Sequence, residues 1–462
     1  MSEKIKNFYL LTSIIIAIFV GTFLWDKINF APPQHIIENY PLSKYVQKNF
    51  YHLNELIRYC VFIFLPSFTY LCFLVINKKF YLPLFRKETP SKETLNQNKG
   101  SDLILFFLII LIFLNYFYFY KFPRLGGAGF WDGLHYGQYL TSGENYFHYK
   151  TLWKNSFITM GFGYEFLIPI LSQKIFNSNS IAHIFSIRIF LTVISQLIFI
   201  FFAYRFSFDQ KLPKNLKSLV FLILCSGIFV LTNFHNPIFV FREIPLLIFL
   251  ISLWFYISKE NKGTALLMLG LFSCISVIWG LDRGAYFNAS ILFFILFLLS
   301  SREFKNFFIL LLYIFLGWFL FYLLVGREEF NYFLNNSMFI YLNVEHINGL
   351  IHPAPFSNEP DSSRATKNLL LMVLASILTI KFCFNKKSNM TLPNKIFFIF
   401  MFFLAFISYK TGLGRSDRAH MRIGEAFCLF YLISILALQI ALFIKKNKFL
   451  EKNKNIVKNS TI

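Results

Sequence analysis

The sequence is short of charge. Only 15% of its 462 residues are Asp, Glu, Lys or Arg, against about 25% in a typical soluble domain. Acidic residues are the scarcer kind, 23 against 45 basic ones. With 56% hydrophobic residues, so low a charge content excludes an ordinary soluble globular protein. Cysteine is also sparse. Cys60, Cys72, Cys225, Cys274, Cys383 and Cys428 all fall in or at the edge of apolar segments. None sits in a long polar loop, which argues against a disulfide framework or a thiolate metal site.

What the sequence has instead is long apolar runs. A bilayer core takes about 20 apolar residues per helix, fewer where polar ends extend it. Twelve candidate spans can be read, at 9–25, 56–76, 103–120, 181–204, 219–232, 244–257, 265–279, 286–299, 307–325, 369–384, 396–409 and 427–444. The expected fold is an all-α polytopic membrane protein of about twelve transmembrane helices, with residues 1–462 forming one transmembrane domain. The first span follows Lys4 and Lys6 and lacks a small-residue cleavage site, so it reads as a retained anchor.

The formal charge of +22 would suggest nucleic acid in a soluble protein. Here it marks topology. With the N-terminus inside, the short inner connections and the 445–462 tail hold 26 of the 45 lysines and arginines, as the positive-inside rule requires. Both termini are then expected in the cytoplasm, with no nucleic-acid partner. The alternation holds only if 156–176, "SFITMGFGYEFLIPILSQKIF", does not cross. With Gly161, Gly163, Glu165 and Pro169 it reads as an interfacial or re-entrant stretch. The outer face then receives the large loops 26–55, 121–180 and 326–368, the second of them carrying interfacial helices. All nine histidines fall on that side: His35, His52, His135, His148, His183, His235, His346, His352 and His420.

Four polar constellations stand out on the same face. In "GFWDGLHYGQYLTSG" (129–143) a helix start would place Asp132 and His135 on one face, and Asp132 is equally a good helix cap. In "VFREIPLL" Arg242 and Glu243 precede a helix with Pro245 in its first turn, and Glu243 complements the positive helix end. In "IWGLDRGAYFN" Gly280 and Gly284 bracket Asp282 and Arg283, two charges costly beside a membrane unless paired or facing water. In "KTGLGRSDRAHMRIGE" Arg415, Arg418 and Arg422 recur as one cationic helix face with His420 beside them, and Ser416 or Asp417 could cap that helix. Such arginines suit phosphate oxygens, whether on a substrate or on anionic lipid headgroups. Together these segments offer acids to take a proton and arginines to hold a phosphate, the parts needed to move a sugar from a lipid phosphate to a hydroxyl.

The layout resembles the GT-C superfamily of integral-membrane glycosyltransferases that use polyprenyl-phosphate sugars. The resemblance covers roughly residues 100–430. It is carried by "GFWDGLHYGQYLTSGENYF" and "GFGYEFLIPILSQKIF", with "GLDRGAYF" and "GLGRSDRAHM" looking like recurring segments of a bacterial branch. It implies a GT-C-like fold in a bacterial plasma membrane and a polyprenyl-phosphate sugar donor. The acceptor would be a glycan, lipid or protein. Asp132 would be the catalytic base, with His135 its neighbour at the acceptor or a metal, and Arg283, Arg415 and Arg418 would face the lipid phosphate. Asp282, Arg242, Glu243, His420 and Arg422 complete the expected substrate-binding set. The chain departs from the family in lacking an Asp-x-Asp pair in the first outer loop. Two carboxylates with imidazoles would suit a divalent cation, although the spacing does not require one. A twelve-span transporter or lipid-linked glycan flippase is the alternative of another class; a glycan polymerase or ligase is the nearer one.

Overall fold

The computed structural model describes residues 3–31, 50–83, 100–116, 133–178, 180–233, 239–259 and 261–459. Within them the chain is helical. The helices are α1 (Glu3–Lys27), α2 (His52–Ile76), α3 (Gly100–Tyr116), α4 (Gly133–Tyr149), α5 (Phe162–Glu165), α6 (Leu167–Phe176), α7 (Ile181–Phe208) and α8 (Lys214–Asn233). They continue as α9 (Ile244–Ser258), α10 (Lys262–Trp279), α11 (Leu281–Ser300), α12 (Phe304–Asn348), α13 (Ser362–Cys383), α14 (Leu392–Ser408), α15 (Lys410–Gly414) and α16 (Arg418–Asn459). Extended pairing among the described residues is confined to two isolated bridges, Phe80 with Asn385 and Leu350 with Arg415.

Each of the twelve expected spans falls on a helix over its described residues. Eleven of those helices are long and apolar enough to cross a membrane. The twelfth, α3, has 17 described residues and stops where the described residues stop. This is a polytopic helical membrane protein. The stretch 156–176 forms only the short helices α5 and α6, neither of which can span. The expected outer loop 326–368 is different from its reading: α12 continues through most of it to Asn348, broken at Gly326 (φ 81°, ψ 163°). The reason is periodicity. Phe333, Ser337, Ile340 and Asn343 bury one face of the continuation, which its many Asn and Glu residues disguise. The basic stretch 445–462 likewise continues α16 as helix as far as Asn459.

Lipid gives apolar helices no reason to leave it, so packing must hold the bundle together. Two devices do so. Rings interlock at the centre, where Phe206 of α7, Trp254 of α9 and Phe397 of α14 stand with centroids 4.9–5.3 Å apart. Elsewhere small residues let backbones touch. A Cβ on Gly270 of α10 would lie 2.3 Å from that of Tyr313 on α12.

The connections sort by end. The Lys-rich ones meet one another: Phe80 bridges Asn385, Lys445 Nζ donates to the Lys211 carbonyl at 2.9 Å, and Lys262 pairs with Glu303 at 3.0 Å. The opposite end carries α4, α5, α6, the α10–α11 turn, the latter part of α12 and the start of α16. There Leu140 of α4, Ile168 of α6, Phe241 and Trp279 share one hydrophobic cluster, so the described part of the 121–180 loop is seated directly on the α10–α11 turn.

Candidate functional site

At this second end the "VFREIPLL" and "IWGLDRGAYFN" segments meet. A short 3-10 turn, Phe241–Glu243, leads into α9, with proline in the first turn as expected. Gly284 packs so closely on Val277 that a Cβ would sit 2.4 Å from its Cα, which folds α11 back on α10 with Gly280 alone between them. Arg242 Nη2 donates to Asp282 Oδ2 at 2.6 Å. Arg283 Nη1 donates to the same oxygen at 2.6 Å. Arg283 Nε and Nη2 donate to Glu243 Oε1 at 3.0 and 2.6 Å. The expected local pair Asp282–Arg283 is therefore part of a four-charge chain linking two helix starts. The Arg283 and Glu243 side chains are each only 4% exposed. Such a buried arrangement holds because every charge has an opposite neighbour.

Aromatic rings frame the quartet. Arg242 and Arg188 both lie 5.7 Å from the Tyr164 ring centre, and Tyr164 stacks on Phe241. Glu165, read from sequence only as a reason not to cross, organises the neighbouring loop: its carboxylate accepts from Thr159 N (2.8 Å), Thr159 Oγ1 (2.7 Å) and Met160 N (3.3 Å). Burial raises its pKa even so, against those hydrogen bonds. On the other side Tyr286 shares a 2.8 Å hydrogen bond with Thr411 of α15, which connects the quartet to the segment carrying the remaining arginines.

That segment does not form one cationic helix face. Asp417 caps α16 by accepting from Ala419 N and His420 N at 3.0 and 2.9 Å, as the sequence suggested. Arg415 lies before the cap in extended backbone, bridged to Leu350, so only Arg418 and Arg422 share the helix. Arg415 Nε reaches Asp417 at 2.8 Å, His420 Nδ1 reaches the same carboxylate at 2.8 Å, and Arg418 Nε reaches Asp361 at 2.8 Å. Burial tends to raise the Asp417 pKa, but the His420 ring and backbone hydrogen bonds and Arg415 outweigh it and hold the carboxyl well below its usual range.

Deeper along α13 and α16 one acid is bonded to a lysine, with two arginines within electrostatic reach. Glu425 is 1% exposed and accepts from Lys367 Nζ at 3.0 Å. Arg364 and Arg422 are close enough to act on its charge as well. Arg422 has no ion pair among the described residues, and Arg364 Nε is buried without a hydrogen bond among them. Here lies a surplus of positive charge which the balanced quartet lacks. Arg364 and Lys367 fell within the expected 326–368 loop and Glu425 closes the segment "KTGLGRSDRAHMRIGE", but the local pattern assigned none of the three a role. The signal available was Arg364 and Lys367 three residues apart at a helix start.

A second group centres on His352, which the sequence placed on the outer side without a role. Its Nε2 is 2.9 Å from Tyr409 Oη and its Nδ1 3.1 Å from the Pro353 carbonyl, so the ring donates from Nδ1 and accepts from the tyrosine. Its backbone N–H donates to Glu55 at 3.3 Å, and Glu55 pairs with Arg58 at 2.9 Å. Burial lowers the His352 pKa to about 4.

Asp132 lies outside the described residues. Helix α4 begins at Gly133, the next residue, and carries His135 in its first turn; nothing is described of the His135 side chain. Among the described residues no three His, Cys, Asp or Glu side chains come together as a set that could hold a metal ion. Comparison with known proteins identifies no relative: no family model matches the chain, no curated protein matches it, and no solved structure matches it.

Proposed function

We propose that the protein is an integral-membrane glycosyltransferase. It takes a sugar from a polyprenyl-phosphate-linked donor and passes it to a hydroxyl of a glycan, lipid or protein at the bundle end opposite the Lys-rich connections. The observation that carries this reading is the positive surplus around Glu425, where Lys367 pairs with the carboxylate and Arg364 and Arg422 lie within electrostatic reach of it. Unmatched cations at a membrane boundary are costly, and a phosphate group supplies the charge they lack. Arginine forks are well suited to it.

Each residue has a part in the reaction. Asp132 takes the proton from the acceptor hydroxyl, with His135 beside it. The acceptor oxygen attacks the anomeric carbon, whose bond to the phosphate oxygen breaks. The phosphate leaves with that bonding pair, and Arg364 and Arg422 stabilise the charge it gains. Arg415, Arg418 and His420, each tied to an aspartate, shape the approach to this site. Arg242, Glu243, Asp282 and Arg283 clasp α9 to α11 and hold the surrounding end rigid.

The test is glycan profiling of cells carrying Asp132→Asn or Arg422→Ala, with protein abundance measured alongside. The expected result is loss of one glycan species and accumulation of its lipid-linked precursor, with at least a tenfold drop for Asp132→Asn, in line with the 10²–10⁴-fold general-base contribution, roughly, of well-placed acids. An unchanged profile in both variants at normal abundance overturns the proposal.

A further inference from the structure

We infer that residues 327–348, the part of α12 beyond Gly326, form a helix that lies flat at the bundle end and seats an apolar stripe in the surface of the lipid bilayer. The inference does not rest on the transferase reading.

The flat placement follows from register. Helices α10 and α12 run side by side in the same direction. Lys262 meets Glu303 at their start, Gly270 faces Tyr313, and Gly317 faces Leu271 and Cys274. Continued to the end, this register brings Gly326 level with the α10–α11 turn. Tyr341 is about 15 residues farther on, or about 22 Å of helix. Yet its hydroxyl donates to the Leu281 carbonyl, in that same turn. A helix continuing straight would leave Tyr341 far above it. The break at Gly326, where φ is 81°, supplies the bend, since only glycine adopts that conformation without strain. One long side is fastened to the 150–160 stretch by Glu329, which accepts from Trp153 N at 2.7 Å, and by Asn336, which pairs with Ile158 N and O at 3.1 and 2.7 Å.

The stripe lies away from those fastenings. Leu334, Met338 and Leu342 recur at every fourth residue, so they share one face, and Met338 and Leu342 are 61% and 63% exposed. Three observations favour lipid as what covers them. The spanning half of α12 ends in lipid-facing leucines, Leu320, Leu323 and Leu324, the last 84% exposed, so the stripe continues an apolar surface that already faces the membrane. Arg327 stands exposed at the bend, where headgroups would meet it. Tyr332 and Tyr341 lie partly exposed on the same helix, and tyrosine favours the membrane–water boundary. The stripe is flanked by one arginine and two glutamates rather than by a run of basic residues, so attachment is apolar and independent of lipid charge.

The test uses the full-length protein in nanodiscs of phosphatidylcholine, alone or with phosphatidylglycerol. Nitroxide labels go on Met338→Cys, Leu342→Cys and, as the aqueous control, Glu328→Cys. Unsubstituted protein measures background from the native cysteines, all half-buried or buried. The expected result is that labels at 338 and 342 collide several-fold more with oxygen, which partitions into lipid, than with a water-soluble nickel chelate. The label at 328 shows the reverse, and the ratios are equal in the two lipid mixtures. Nickel access at 338 and 342 equal to that at 328 overturns the inference. So do immobilised labels shielded from both reagents, which would mean that protein covers the stripe. Both residues are largely exposed, so labelling leaves the fold intact, and the second position guards against loss of the first.

Discussion

Arg283 occupies both ends of its guanidinium, one toward Asp282 and the other toward Glu243. A lysine ammonium is a point charge and cannot span two carboxylates in this way. Arg283→Lys is therefore expected to cost about 3 kcal/mol, the scale for breaking a buried pair, read as a lowered thermal midpoint in detergent. Glu243→Gln should cost a similar amount. The double substitution Glu243→Gln with Arg283→Met should lose less than the sum of Glu243→Gln alone and Arg283→Met alone, because it strands no buried charge; strict additivity would mean the pair is not coupled. His352 makes the opposite electrostatic choice and stays neutral. Trp25 of α1, Glu55 and Arg58 of α2, and Tyr409 face it. Its pKa falls from 6.5 to about 4 on folding. The unfolded chain then binds more protons across that interval, so the contribution is complete above pH 6.5 and is lost as pH falls toward 4. It amounts to about 3 kcal/mol. Subtracting the stability-against-pH curve of His352→Gln from that of the parent should leave a rise of this size between pH 4 and 6.5; parallel curves would show that His352 does not titrate in that window.

At the scale of the helix, close approach is the controlling quantity. A methyl group on Gly270 would meet Tyr313 Cβ at 2.3 Å and its backbone carbon at 2.9 Å, and a backbone cannot give way as a flexible side chain can. Gly270→Ala is expected to cost about 2 kcal/mol, as over-packing does, whereas Gly263→Ala in the same helix, with open space around it, should be neutral or mildly stabilising. Equal thermal midpoints for the two would remove the argument. Helices of this kind were legible in the sequence because twenty apolar residues in a row leave few alternatives. The continuation of α12 was not legible: Asn331, Asn335 and Asn336 break up its apolar pattern, and its buried face is set by a loop that is distant in sequence. The site was legible in pieces. Glu243 and Arg283 were singled out separately, but they pair across 40 positions, a distance over which local spacing says nothing. The surplus around Glu425 needed two spans to come together before it could be seen.

For the whole molecule, polarity is arranged by end. Lysine-rich connections gather at one end, and paired arginines, acids and buried histidine gather at the other, with apolar packing between. The balanced quartet and the surplus around Glu425 sit at the same end but differ in charge: one is neutral and fastens helices, and the other carries more cations than acids. The bend in α12 also fixes a length. From Phe304 to Gly326 is about 22 residues, or about 33 Å, with Glu303 and Lys305 at one limit and Arg327, Glu328 and Glu329 at the other. A continuous helix can meet a thinner bilayer by tilting, but this one is held at both limits, by Lys262 and Tyr256 on Glu303 and by Trp153 on Glu329. Hydrophobic mismatch therefore acts on it directly. Thermal stability in nanodiscs of graded acyl length should peak near a matching core of about 30 Å and fall on either side; a flat profile would mean the two limits yield. The protein thus carries its own gauge of membrane thickness, and that gauge selects the bilayers in which it is most stable.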